Sequence, residues 1–302
     1  MMNDTQGNQT ISSNVFANEF IFSERVRKHV RKSLQESDEG MWNALHDREL
    51  KVTAVYAENM GTEGILKYFG ERAHAEDLPL LCVEHGFNDM YINGGGRFTA
   101  PEIGKKKDEL CKNILEILEN PKIKSVENRI QEVSTLFMKS FVDFERDRPV
   151  KGKSTSRKVT ALGVAQKIVN MYYKYRFCCA PWFGDTWDFT GCDCPVDSKI
   201  LKWIVQILRR SYGKASKEEI KRFQNMCWSK MSDEEYHKVQ EAIRSFLTSL
   251  AQSDDGKGFE WTGLTGYDWN EVRDIIKRTG NLAFDFLFFT REIPSRAKGA
   301  KS

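Results

Sequence analysis

From residue 107 onward the apolar residues of this chain recur at helical spacing, and that repeat limits the fold more than any other feature of the sequence. Lys107 to Leu118 carries Leu110, Ile114, Ile117 and Leu118 on one face. Ile123 to Phe144 repeats the pattern with Val126, Ile130, Val133, Phe137, Phe141 and Phe144. A third helix is expected from Leu162 to Phe177, its face formed by Val164, Ile168, Met171, Tyr172 and Tyr175. After a connection of roughly 17 residues, long for a compact domain, Pro195 opens another helix through Ile200, Trp203, Ile204, Ile207 and Leu208. Three more follow: Lys217 to Trp228, Asp233 to Leu250 behind the capping box Ser232-Asp233-Glu234-Glu235, and Asp268 to Phe289. The fold class expected is mainly α, a helical, bundle-like core with an irregular N-terminal part.

The chain before residue 107 reads differently. Residues 1–20 suggest a mobile tail, and Glu24 to Leu34 a basic helix with Val26 and Val30 on its inner stripe. Residues 38–103 mix helical fragments with turn signals, ending in Gly94-Gly95-Gly96 and Pro101, and are expected to be irregular or partly β. Pro149 and the polar run Lys151 to Ser156 place a boundary near 150, separating an N-terminal domain, 21–150, from a helical domain, 151–302. With 40% hydrophobic and 29% charged residues the chain has ordinary globular composition. No apolar run reaches the roughly 18 residues a membrane span needs, and no basic segment followed by an apolar one marks a secretory signal. A cytosolic protein without a membrane partner is therefore expected. Its odd number of cysteines, seven, fits reduced thiols, with Cys82, Cys111 and Cys227 as core fillers.

The net charge of +3, from 46 basic and 43 acidic residues, conceals an asymmetry. The 37 residues from Arg148 to Gly184 hold eight bases, Arg148, Lys151, Lys153, Arg157, Lys158, Lys167, Lys174 and Arg176, and no acid. Together with Ser154, Thr155 and Ser156 they suit a polyanion surface, where cations displace condensed counterions and hydroxyls bond phosphate oxygens. A solvated basic loop before a helix is the other reading.

Within this stretch lies Leu162-Gly163-Val164-Ala165-Gln166-Lys167-Ile168-Val169, and further on Cys194-Pro195-Val196-Asp197-Ser198-Lys199. The pairing resembles the helix-hairpin-helix DNA glycosylase superfamily, in which a glycine turn opens a lysine-bearing helix and a Pro-Val-Asp motif opens the next. Ala165 stands where the family carries a second hairpin glycine. The resemblance implies a helical fold whose hairpin N–H groups, at Gly163, hold a DNA phosphate while a base is flipped out. It also implies that Lys167 is the Schiff-base nucleophile and Asp197 the carboxylate assisting glycosidic cleavage. A nucleophilic Lys167 would need desolvation or neighbouring cations such as Lys174 and Arg157. Read as residues alone, Asp197 or Ser198 is equally a helix cap and Lys167 a surface cation.

The connection between lysine and aspartate carries Trp182, Phe183, Trp187 and Phe189, suited to stacking on an extruded base or to covering the helices as a lid. It also carries Cys178, Cys179, Cys192 and Cys194. Their Cys-Cys and Cys-x-Cys spacings are poor chelates and lack an iron–sulfur pattern, so structural thiols are expected and no metal or cofactor. The five histidines are scattered, and Gly94-Gly95-Gly96-Arg97 lacks a phosphate-loop ending.

Two functions follow from these observations. The first is a nucleic-acid-binding protein, with DNA as partner, that excises a base. Lys151, Lys153, Arg157, Lys158, Gly163, Lys174, Trp182 and Trp187 would then contact the polymer. The second is a non-catalytic α-helical interaction protein whose basic stretch docks an acidic partner. Either way Ile168, Met171, Trp203, Ile204 and Leu208 are expected to be buried where the helices flanking the connection pack together.

Overall fold

The structure is a computed structural model, and it describes residues 77–93, 105–141, 144–145, 148–149, 156–157, 159–183, 187–210, 215–264, 267–289, 291 and 293. The expected tail, the basic helix Glu24 to Leu34, Gly94 to Gly96, and Lys151, Lys153 and Lys158 lie outside those residues. So do the side chains of Arg157, Cys179 and Trp182, whose backbone alone is placed.

Helices predominate, as the periodicity requires. They are α1 (Leu78–Asn93), α2 (Lys107–Glu119), α3 (Val126–Ser140), α4 (Ala161–Phe183), α5 (Ser198–Arg210), α6 (Lys217–Asn225), α7 (Asp233–Ala251), α8 (Trp269–Thr279) and α9 (Ala283–Phe288). Short 3-10 turns cover Trp228–Lys230, Glu260–Thr262 and Gly280–Leu282. Two two-residue strands, β1 (Arg148–Pro149) and β2 (Ser156–Arg157), pair antiparallel, Arg148 opposite Arg157. None of the described helices is long and apolar enough to cross a membrane.

α4 is the axis. From Gly163 to Cys178 every residue is buried, so the helix is covered all round rather than on one apolar face. Thr160 Oγ1 accepts the Gly163 N–H (3.1 Å) and Glu145 Oε1 the Ala161 N–H (2.9 Å), satisfying donors of its first turn. α1 and α3 pack along it, and α2 packs on both of these.

Several expectations need correction. Residues 78–93 are helical, with Cys82, Val83, Phe87 and Met90 in the core. Gly86 is the reason α1 approaches α4 so closely, since a Cβ there would lie 3.0 Å from the Ile168 carbonyl oxygen. α3 ends at Ser140 because Phe141 is extended, yet Phe141 and Phe144 still pack under it, 5.9 Å apart at their centroids. α5 begins at Ser198 rather than Pro195. The last expected helix is broken at Gly280, whose φ of 55° sends the chain into a 3-10 turn. Among the described residues the buried side chains form one cluster that includes α1 to α3 and the helices after residue 150.

Ile168, Met171, Trp203 and Ile204 are buried, whereas Leu208 is half-buried. The two helices around the connection are not each other's main partners. α4 packs on α1 and α3, while α5 packs on α6, α7 and α9. Truncating Ile168 to alanine should therefore lower the unfolding free energy by about 2–5 kcal/mol, with Leu208→Ala costing less, as read from urea midpoints.

Candidate functional site

The buried polar residues of α4 hold the chain segment that follows it. The Gln166 amide accepts the Val196 N–H and donates to the Val196 carbonyl, both at 3.0 Å. Gln240 on α7 does the same for Cys194, at 3.0 and 2.8 Å. Two side-chain amides thus supply what a neighbouring strand would otherwise give this extended stretch. Asn170 donates to Tyr236 Oη (2.9 Å), which donates to Asp193 (2.9 Å), and Asn281 donates to the other Asp193 oxygen (3.4 Å). Burial nevertheless keeps Asp193 above the usual carboxylate range.

This bracing fixes Asp197 at the start of α5. Its Oδ1 accepts the N–H groups of Lys199 (2.8 Å) and Ile200 (2.9 Å), capping the helix. Its Oδ2 receives Lys167 Nζ at 3.1 Å. The lysine side chain is 5% exposed and the aspartate 22%, so any access to the pair is from the aspartate side. Burial acts against both charges. On Asp197 it is outweighed by the Lys167 ammonium and the two N–H donors, which hold the carboxyl below its usual range. On Lys167 it is outweighed by the carboxylates of Asp197, Asp285 and Asp89, which hold the ammonium above the usual lysine value. The aspartate's share of stability is lost only as pH falls through its lowered value, and the lysine's only as pH rises through its raised one. The pair is closed across neutral pH.

The other expected residues fall elsewhere. Lys174 is not a surface cation: it is wholly buried and ion-paired with Asp285 on α9, with the Phe289 ring 4.4 Å from its Nζ. Arg176 is likewise buried and pairs with Glu119 on α2. Gly163 is buried, its N–H taken by Thr160, and a Cβ on it would lie 2.5 Å from the Trp228 carbonyl oxygen. This glycine serves helix packing and offers no N–H to a phosphate. Trp187 is half-buried against Tyr173, centroids 5.6 Å apart, with the guanidiniums of Arg176 and Arg129 at 4.2 and 5.0 Å from its ring.

Cys178, Cys192 and Cys194 are buried, and burial pushes each thiol up, away from the thiolate a metal requires. Among the described residues no group of three or more histidine, cysteine or acidic side chains could hold a metal ion. Cys227, expected in the core, is exposed. Sequence reasoning missed Gln166, Gln240, Asn281 and Asp285, buried polar residues without a motif to single them out. A groove of about 1100 Å³, floored by Phe223, Phe246, Phe259 and Trp261, lies between α5, α6 and α7 and does not reach Lys167 or Asp197. Compared with known proteins, the chain matches no family model, no curated protein and no solved structure.

Proposed function

We propose that this protein binds DNA and excises a base, with Lys167 and Asp197 as its reacting groups. The observation that carries the reading is their 3.1 Å contact at a helix start, made by residues thirty positions apart in the chain. A carboxylate held ionised by helix N–H groups can stabilise the positive charge that grows on a sugar as its glycosidic bond lengthens. The lysine begins protonated. In the reaction the glycosidic bond breaks toward the base, and the base nitrogen takes a proton from Lys167 Nζ. The neutral amine adds to the sugar C1′, and Asp197 accepts the second nitrogen proton. Sugar-ring opening, with that proton passing to the ring oxygen, leaves an imine that borohydride reduces to a stable adduct.

Borohydride should therefore trap the wild-type protein on duplex DNA carrying an abasic or damaged site. Lys167→Arg keeps a cation beside Asp197 and so keeps the fold, but it should lose trapping altogether. Asp197→Asn should retain DNA binding and lose excision. A folded Lys167→Arg protein that traps as wild type does, or a wild type that traps on no lesion, would sink the assignment. Binding to a duplex should also fall steeply with salt. Association with an acidic protein, and none with a duplex, would instead favour the interaction reading.

A further inference from the structure

Arg129 is a buried guanidinium that has no counter-ion among the described residues. It lies on α3, is 9% exposed, and among the described residues forms no ion pair. Its Nη1 donates to Tyr173 Oη at 2.7 Å, and its Nε is buried with no hydrogen-bond partner among the described residues. Its neighbours Tyr173 and Cys192 do not balance the charge. Burial pushes the Tyr173 phenol and the Cys192 thiol up, so both stay neutral at physiological pH. The contrast is with Arg176, the other guanidinium against Trp187, which has Glu119. An unpaired charge removed from water is costly, and proteins rarely keep one without a use.

The unused part of Arg129 has a definite shape. With Nη1 committed to Tyr173, Nε–H and Nη2–H remain, the parallel pair of donors on one edge of the guanidinium plane. That edge matches two oxygens of one oxyanion. We infer that Arg129 is an oxyanion site, bordered by Tyr173 and Trp187, that takes a singly charged group of the phosphate type. One uncompensated positive charge calls for one negative charge, which a phosphodiester or a monobasic phosphate carries. Gly163, the hairpin position from which a phosphate contact was expected, has no N–H to offer. Only the source of the anion, a nucleic-acid backbone or free phosphate, depends on the DNA reading.

Thermal unfolding in inorganic phosphate near pH 6, against chloride at equal ionic strength, tests the site itself. Wild type should gain Tm saturably with phosphate, Arg129→Gln should show no gain over chloride, and Arg129→Lys, with charge but no fork, a reduced one. An oligonucleotide arm identifies the source. If the anion is a backbone phosphodiester, Arg129→Gln should bind DNA about tenfold more weakly. Unchanged DNA affinity alongside a lost phosphate response assigns the site to free phosphate. The phosphate arm involves no DNA, so a failure of the excision chemistry reads separately. The inference is overturned if phosphate stabilises Arg129→Gln as much as wild type, or if neither phosphate nor DNA responds to Arg129. The charge would then be neutralised from within the chain.

Discussion

Lys174→Met should lower the unfolding free energy by about 3–5 kcal/mol, because it strands the Asp285 carboxylate in a place with no water. Both partners are wholly buried, and Asp285 Oδ1 already lacks a hydrogen-bond partner. Asp285→Leu should cost a similar amount by leaving an ammonium among the rings of Phe286 and Phe289. The double variant Lys174→Met/Asp285→Leu should recover most of either loss, since it removes both desolvated charges at once and fills the space with apolar atoms. Urea unfolding of the four proteins closes the cycle. If the double variant is as unstable as the sum of the singles, the two losses are independent and a stranded partner is not their cause.

Gly280→Ala should cost at least about 2 kcal/mol, from two sources that act together. The residue sits at φ 55°, ψ −132°, a region closed to side chains. A Cβ there would also lie 2.1 Å from the Thr190 carbonyl oxygen, backbone that has no freedom to swing aside. The damage should extend to the neighbouring site. Asn281, next in sequence, bonds Asp193, Gln240 and through it the stretch leading to Asp197. The variant should therefore show faster amide exchange at Cys194 and Val196 as well as a lower Tm. A drop in Tm with those amides still protected would separate the turn from the site.

Helix positions were legible wherever one face of a helix meets solvent. α2, α3 and α7 announce themselves by alternating stripes, and the Ser232–Glu235 capping box is present at the start of α7. α1 escaped because it runs into the turn signals ending in Gly94-Gly95-Gly96 and Pro101 and carries a glycine of its own. Gly86 is instead a contact point, and a glycine's lack of volume reads the same in either role. The contact of Lys167 with Asp197 was legible as a motif, although spacing alone left a surface lysine equally open.

Part of the acid-free stretch misled, for a reason that generalises to any buried helix. Three of its bases, Lys167, Lys174 and Arg176, are not a surface field. Each is buried and paired with an acid supplied from elsewhere in the chain: Asp197, Asp285 and Glu119. Charge counted along a window measures solvent-facing potential only when the partners lie in the same window. A helix enclosed on all sides takes its counter-charges from the elements that enclose it.

The amide clamps on Cys194 and Val196 give that short extended stretch an unusual place in the order of folding. Its bonds to Gln166, Gln240 and Asn281 span 30, 46 and 88 residues, so each closes a long loop and rewards the chain only after distant helices have met. Local helix formation cannot supply any of them. The stretch should set late, after α4, α7 and the turn at Gly280 have assembled around it, and Asp197 should acquire its place only at that last step. A molecule caught before then would have its helices and lack the contact of Lys167 with Asp197.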